Sequence, residues 1–188
     1  MANDCWNKII IKGDETQLMK IEEKFNSSEN GVFTINNYHL LFDTDTSDMS
    51  EEDFGSKKFI PSVSRQDGQL LISGESAWSP MIGLFERICH DYKVEATLNY
   101  DEQGLDFAGR ISWDSNGVET ENEEWTYWEN LYLTNTVDFW EEITWRFEDY
   151  DTLGELLEIL EFDRWRQTTQ FDHETLERLF EEYIDQNS

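Results

Sequence analysis

Val94, Ala96, Leu98 and Tyr100 alternate with Glu95, Thr97 and Asn99, the period-two signature of a half-buried strand. Leu105, Phe107, Ile111 and Trp113 continue the pattern, and Asn116-Gly117 predicts a type I′ hairpin turn after them. A further strand is expected around Glu124–Trp128. Upstream, Cys5–Lys12 (CWNKIIIK) reads as a strand stopped by Gly13. Asp14 then caps a helix that places Leu18, Ile21 and Phe25 on one side. Asn30-Gly31 marks a turn, and Val32–Ile35 and Tyr38–Phe42 are short strand candidates around Asn36-Asn37. Residues 43–58 are polar and acidic and read as a loop. Gln69–Ser73 reads as a strand, and Ser79-Pro80 opens a helix with Met81, Leu84, Phe85, Ile88 and Tyr92 on one face.

Helices interleaved with antiparallel pairs predict an α+β fold, one sheet against one helix layer, built from two split β-α-β units. The remainder predicts helices over Val137–Tyr150, Leu153–Trp165 and Asp172–Asp185, each with an apolar and an acidic side. Asp172 caps the last, with Phe171 and Leu176 placed as a hydrophobic staple. The expected division is an α+β domain over residues 1–134 and an acidic helical lobe over 135–188.

Charge changes this picture. The 188 residues carry 42 Asp and Glu against 14 Lys and Arg, a net of −28, yet 14% are aromatic. Such charge implies disorder when aromatics are scarce; here the chain can fold an aromatic core under an anionic surface. Residues 1–80 hold 14 acids and 7 bases (net −7), and residues 81–188 hold 28 and 7 (net −21). Clustered basic residues for phosphate contact are missing, so direct nucleic-acid binding is not expected. An anionic membrane would repel the chain, and no apolar run reaches spanning length. Without a basic-then-apolar leader, and with Cys5 and Cys89 outside any metal-type spacing, a cytoplasmic location with reduced thiols is expected.

Catalytic motifs are sparse, and the chain reads as a non-enzyme without cofactor or metal. His39, His90 and His173 fall in no zinc-type spacing. Cys89 and His90 are neighbours on a helix and diverge by about 100°, so a buried thiol beside an exposed imidazole is expected. Asp43–Phe54 opens like a calcium loop, but has Asp48 for the sixth-position glycine and Phe54 for the twelfth-position glutamate. No Gly-rich phosphate loop or G-x-S-x-G elbow occurs.

A Cys5-Trp6-Asn7 strand ending in Lys12-Gly13, then Ser76-Ala77-Trp78-Ser79-Pro80, Tyr100-Asp101-Glu102-Gln103-Gly104 and Phe107-Ala108-Gly109, resembles the YubB-type ferredoxin-like family of phage and plasmid proteins. Met81 stands where that family's pattern often has a second proline. The resemblance spans about residues 1–128. It implies a ferredoxin-like antiparallel sheet with helices on one face, and a mobile-element origin in a host bacterial cell. It brings no catalytic residues.

Glu119–Asp151 holds 11 acids against one base, Arg146. On a helical wheel Phe139, Trp140, Ile143, Phe147 and Tyr150 oppose Asp138, Glu141, Glu142, Glu148 and Asp149, with Trp145 among the acids. Helical neighbours three or four apart lie about 5–6 Å from one another, near the pitch of successive phosphates. Glu119, Glu121, Glu123, Glu124, Glu155 and Glu158 extend this candidate partner-binding set. The expected function is an inhibitor that mimics nucleic-acid charge. Its expected partner is a basic nucleic-acid-binding protein of the host, such as a CRISPR effector or a restriction enzyme. The alternative is a protein-binding or scaffolding module using Trp145, Phe162 and Trp165, with acidity serving solubility. Both a monomer and a homodimer are compatible with the sequence.

Overall fold

The alternating side chains of Asp4–Lys12 explain why this strand (β1) lies at the centre of the sheet: Cys5, Asn7, Ile9 and Ile11 are buried on one face. The computed structural model describes residues 4–28, 31–34, 36–42, 50–134, 136–145, 147, 153–155 and 173–187. Its elements continue with α1 (Glu15–Asn26), β2 (Phe33–Thr34), α2 (Glu51–Phe54), β3 (Lys58–Gln66), β4 (Gln69–Ala77) and α3 (Ile82–Tyr92). They close with β5 (Glu95–Glu102), β6 (Phe107–Trp113), β7 (Glu119–Trp125), α4 (Tyr127–Thr134), α5 (Thr136–Trp145) and α6 (His173–Asn187). The seven strands are ordered β2-β3-β4-β1-β5-β6-β7, each pair antiparallel.

Within that order β4 lies between β1 and β3, and β1 lies between β4 and β5. The units β1-α1-β3 and β4-α3-β5 are therefore two interleaved split β-α-β motifs, which is the ferredoxin-like topology. Leu18, Ile21 and Phe25 of α1 and Leu84, Phe85 and Ile88 of α3 share one core with Ile9, Ile11, Leu70, Ile72 and Leu98. Phe25 stacks on Phe85 at 6.4 Å, so the two helices touch each other as well as the sheet. The Asp14 carboxylate accepts from the Thr16 N–H and caps α1 as expected.

Several local expectations are corrected. Tyr38–Leu41 forms a 3₁₀ turn rather than a strand. The Asn37 side chain causes this: its Nδ2 donates to Val32 O and its Oδ1 accepts from Thr34 N, folding the chain back. Within the expected 43–58 loop, residues 51–54 form α2, and residues 43–49 lie outside the described residues. β3, unread in the sequence, turns serines outward and carries Pro61; β2 pairs only with Lys58 and Phe59, so Pro61 sits where β3 is an edge. Leu105 is exposed in a turn. β7 begins at Glu119 and the chain is helical from Tyr127, whose N–H is capped by Asp106 Oδ1 at 3.1 Å.

The type I′ turn is at Asp67-Gly68 (φ 52° and 76°), not at Asn116-Gly117. In the latter only Gly117 is left-handed, and Asp114 Oδ1 accepts from the N–H groups of both Asn116 and Val118. Those two bonds hold the Asp114 carboxyl below its usual pKa. Space is open around Gly68, so Gly68→Ala meets only the left-handed backbone penalty. It is expected to lower stability by about 1–2 kcal/mol in denaturant titration, with no change in the native circular dichroism.

The chain divides into two compact units, Met1–Tyr127 and Trp128–Ser188, with the boundary after the first residue of α4. In the second unit Phe139, Ile143, Phe147, Leu176 and Phe180 are buried, and Phe147 meets Phe180 edge-on at 5.1 Å.

Candidate functional surface

The four candidate acids of β7 fall on both faces of the sheet rather than in one file. On β7, register places Glu119 opposite Trp113 and Glu124 opposite Gly109, the side of the helix layer. Glu121 lies opposite Ser112 and Glu123 opposite Arg110, on the other face of the sheet. A register shift at Ser112/Trp113 puts an extra residue between Glu119 and Glu121 and breaks the single file of carboxylates. Glu121 is engaged as well: Ser112 Oγ donates to it at 3.1 Å, and Arg110 Nε is 3.4 Å away. Carboxylates on an outer strand also have a structural use, since they discourage edge-to-edge pairing.

In the second unit α5 exposes Glu141 and Glu142 on the side away from buried Phe139 and Ile143, as the wheel predicts. Asp138 and Trp145 lie within α5, and their side chains are outside the described set. Glu155 is exposed in the helical stretch 153–155. Glu148, Asp149, Tyr150, Glu158, Phe162, Trp165, Phe171 and Asp172 lie outside the described residues. On α6, Glu174, Glu177, Glu181 and Asp185 are exposed, while Leu176 and Phe180 are buried. Arg178 spans to Glu182 at 2.8 Å.

The sheet face opposite α1 and α3 carries a second surface that the sequence reading passed over. Three registered rows cross it. The first is Ile60, Glu75, Trp6, Asp101, Ala108 and Trp125. The second is Ser62, Ser73, Lys8, Asn99, Arg110 and Glu123. The third is Ser64, Leu71, Ile10, Thr97, Ser112 and Glu121. Trp6 is 44% exposed and Ile60 37%. Burial, and secondarily the Glu102 carboxylate, holds Asp101 above the usual carboxylate range. The available signal was period two: residues two apart from Trp6 and Lys8 share their face once Ile9 and Ile11 are assigned to the core.

Behind this face the residues of the resemblance form a buried latch. Asn7 Nδ2 donates to Cys5 O (2.9 Å) and Ser76 Oγ (2.8 Å), and Asn7 Oδ1 accepts from Met81 N (2.9 Å). Asn7 on β1 thus satisfies the first turn of α3, and no side chain of the Ser79-Pro80 segment caps it. Ser79 Oγ instead donates to Gly55 O. Trp78 is left-handed (φ 73°) and 43% exposed. Glu102, 3% exposed, accepts from Gly104 N (3.0 Å) and Leu105 N, which closes the β5–β6 turn.

Cys89 is buried and its thiol is pushed up to about 12 by burial. His90 beside it is exposed, with Nδ1 2.8 Å from Asp91. Among the described residues no group of three His, Cys, Asp or Glu is placed to hold a metal. Residues 43–49 of the calcium-like loop lie outside them. A shallow cleft of about 250 Å³ at the Lys12 end of the face opposite α1 and α3 includes Thr97, Ser112 and Asp114. The Thr97 and Ser112 hydroxyls there are 3.0 Å apart. That chain of hydroxyls ends on the Glu121 carboxylate. No described helix is long and apolar enough to cross a membrane.

Residues 58–149 match a family model described as the ferredoxin-like domain in Api92-like protein. The match starts at β3 and runs past α5, beyond residue 128 where the resemblance read from the sequence ends. Together with the strand order it supports a ferredoxin-like fold for the chain. No curated protein and no solved structure matches the chain.

Proposed function

We propose that this ferredoxin-like protein is an interaction protein whose acidic second half docks on a basic, nucleic-acid-binding surface of another protein and blocks it. One observation carries the reading. α5 and α6 each bury an apolar face and turn carboxylates outward: Glu141 and Glu142 on one, Glu174, Glu177, Glu181 and Asp185 on the other. Like charges at helical spacing cost each helix a few tenths of a kcal/mol per pair. Burial of Phe139, Ile143, Leu176 and Phe180 offsets that cost and holds the charges in a fixed array. A net of −28 also exceeds what solubility calls for. The resemblance to phage and plasmid proteins makes host defence proteins, CRISPR effectors and restriction enzymes among them, the first partners to test.

Electrostatic steering gives such a complex fast association and strong salt dependence. The test is retention of bacterial lysate proteins on the immobilised chain at low salt, elution with a salt gradient, and a stoichiometric competition between the chain and duplex DNA for each protein recovered. The expected result is a nucleic-acid-binding protein that leaves at moderate salt and loses DNA binding when the chain is added. Reversing Glu141, Glu142, Glu174 and Glu181 to Lys is expected to weaken that complex at least about 100-fold, as for several close charge pairs. Retention that ignores salt, or survives the reversal, sinks the reading.

The exposed Trp6 and Trp78 favour a second reading, in which a hydrophobic contact drives association. Under it the four-fold reversal leaves affinity nearly unchanged and an aromatic truncation abolishes it.

A further inference from the structure

We propose that the Glu75–Trp6–Asp101 row of the sheet face opposite α1 and α3 is an arginine-binding site, the anchor point for a basic segment of a partner protein. This deepens the reading above and rests on it only for the basic character of the partner. Trp6 on β1 has Glu75 of β4 directly opposite on one side and Asp101 of β5 directly opposite on the other. Directly opposed residues have Cβ atoms about 4.5–5.5 Å apart. The indole thus sits between two carboxylates, and its row contains no cation.

The three groups are available to a ligand. Trp6 is 44% exposed, Glu75 is exposed, and Ile60 at 37% extends an apolar shoulder beyond Glu75. The Asp101 carboxylate is half-buried, has no hydrogen bond or ion pair among the described residues, and is held above the usual carboxylate range by burial. An arriving cation would compensate that desolvated charge. Arginine fits better than lysine. Its planar guanidinium stacks on an indole face while its N–H groups reach carboxylates to either side, which a point-charge ammonium does less well. Lys8, in the next row, keeps the charge of this face local to the Trp6 row and disfavours a diffuse polycation.

The test uses the full chain and a capped eight-residue peptide with three arginines among glycines and serines, titrated by calorimetry at low salt. The same peptide with citrulline in place of arginine serves as the uncharged control. Trp6→Ala is expected to weaken binding about tenfold and Trp6→Phe by no more than about threefold, in line with desolvated cation–π contacts. The pair Glu75→Gln and Asp101→Asn is expected to weaken it about tenfold or more. The pair Glu23→Gln and Glu86→Gln removes the same charge from α1 and α3, on the other side of the sheet, and is expected to change it less than twofold. Because Trp6 and Glu75 project from an exposed face, thermal melts of these variants should stay close to the parent.

Three results would overturn the site: no binding of the arginine peptide to the parent chain, equal binding of the citrulline peptide, or equal losses from the two charge-removing pairs. The two readings fail separately. Loss of the DNA-binding partner on reversal of the α5 and α6 acids, with Trp6→Ala silent, keeps the proposed function and removes this site. The expected peptide pattern, with no nucleic-acid-binding protein retained from lysate, keeps the site and removes the function.

Discussion

Between pH 9 and pH 12 the ferredoxin-like unit is expected to lose stability steeply, and most of the loss should disappear when both cysteines are replaced by alanine. Cys5 and Cys89 are completely buried, and burial raises each thiol from 9.0 to about 12. Tyr100 behaves alike, moved from 10.0 to about 12 by burial first and then by the Glu124 carboxylate. In the unfolded chain these groups ionise at their ordinary values. Above pH 9 the unfolded state therefore holds fewer protons than the native state, and rising pH favours unfolding until the folded pKa is reached. Each group contributes a slope of about 1.4 kcal/mol per pH unit inside its window, so each thiol accounts for about 4 kcal/mol by pH 12.

Denaturant titrations at pH 8, 9.5 and 11 on the parent and on the Cys5→Ala, Cys89→Ala double variant measure this directly. Lysine titration and the repulsion of the 42 acids are common to both chains and cancel in the comparison. Parallel pH dependences would show that the thiols are not the cause. The same burial predicts that neither thiol reacts with a thiol reagent at pH 8 until the protein is unfolded.

Asn7→Ala is expected to destabilise this unit by about 3–5 kcal/mol, far more than its loss of side-chain volume accounts for. The amide supplies two donors and one acceptor in a site with 0% exposure, joining β1, Ser76 of β4 and the first turn of α3. Its removal strands the Met81 N–H away from water, at about 1–3 kcal/mol for an unsatisfied group, and leaves the Cys5 carbonyl with a long 3.4 Å bond from Ser76 Oγ.

Asn7→Asp separates this latch from simple packing. An ionised carboxylate keeps the acceptor for Met81 N but faces the Cys5 carbonyl with no proton to donate. Once protonated it regains a donor. The deficit of Asn7→Asp should therefore shrink as pH falls through the acid's own titration, while that of Asn7→Ala should not. Equal deficits for the two variants at every pH would dismiss the latch.

These two effects show where sequence reading and structure part. Asp14 with Leu18, Ile21 and Phe25 was legible because a helix cap and its apolar stripe lie within one local period. So was the strand Glu95–Glu102, whose alternation is complete. β3 was not, since serines fill its outward positions and Pro61 interrupts it; only pairing with β4 along Phe59–Gln66 makes it a strand. Asn116-Gly117 carried the stronger turn signature, yet Ser115 lengthens the loop and the Asp114 carboxylate folds it differently. The candidate acids of β7 were legible as residues but not as a surface. Pleat and bulge send Glu119 and Glu124 to one side of β7 and Glu121 and Glu123 to the other.

By itself the sequence determined the α+β class, the anionic second half and the two-sidedness of its helices, because composition and short-range period are local properties of a chain. Tertiary structure alone decided that Asn7 caps a helix 74 residues away, and that Glu75, Trp6 and Asp101 stand side by side. Strand order and register make those neighbours, and both arise from burying all the strands' apolar faces together, a condition that no single segment expresses.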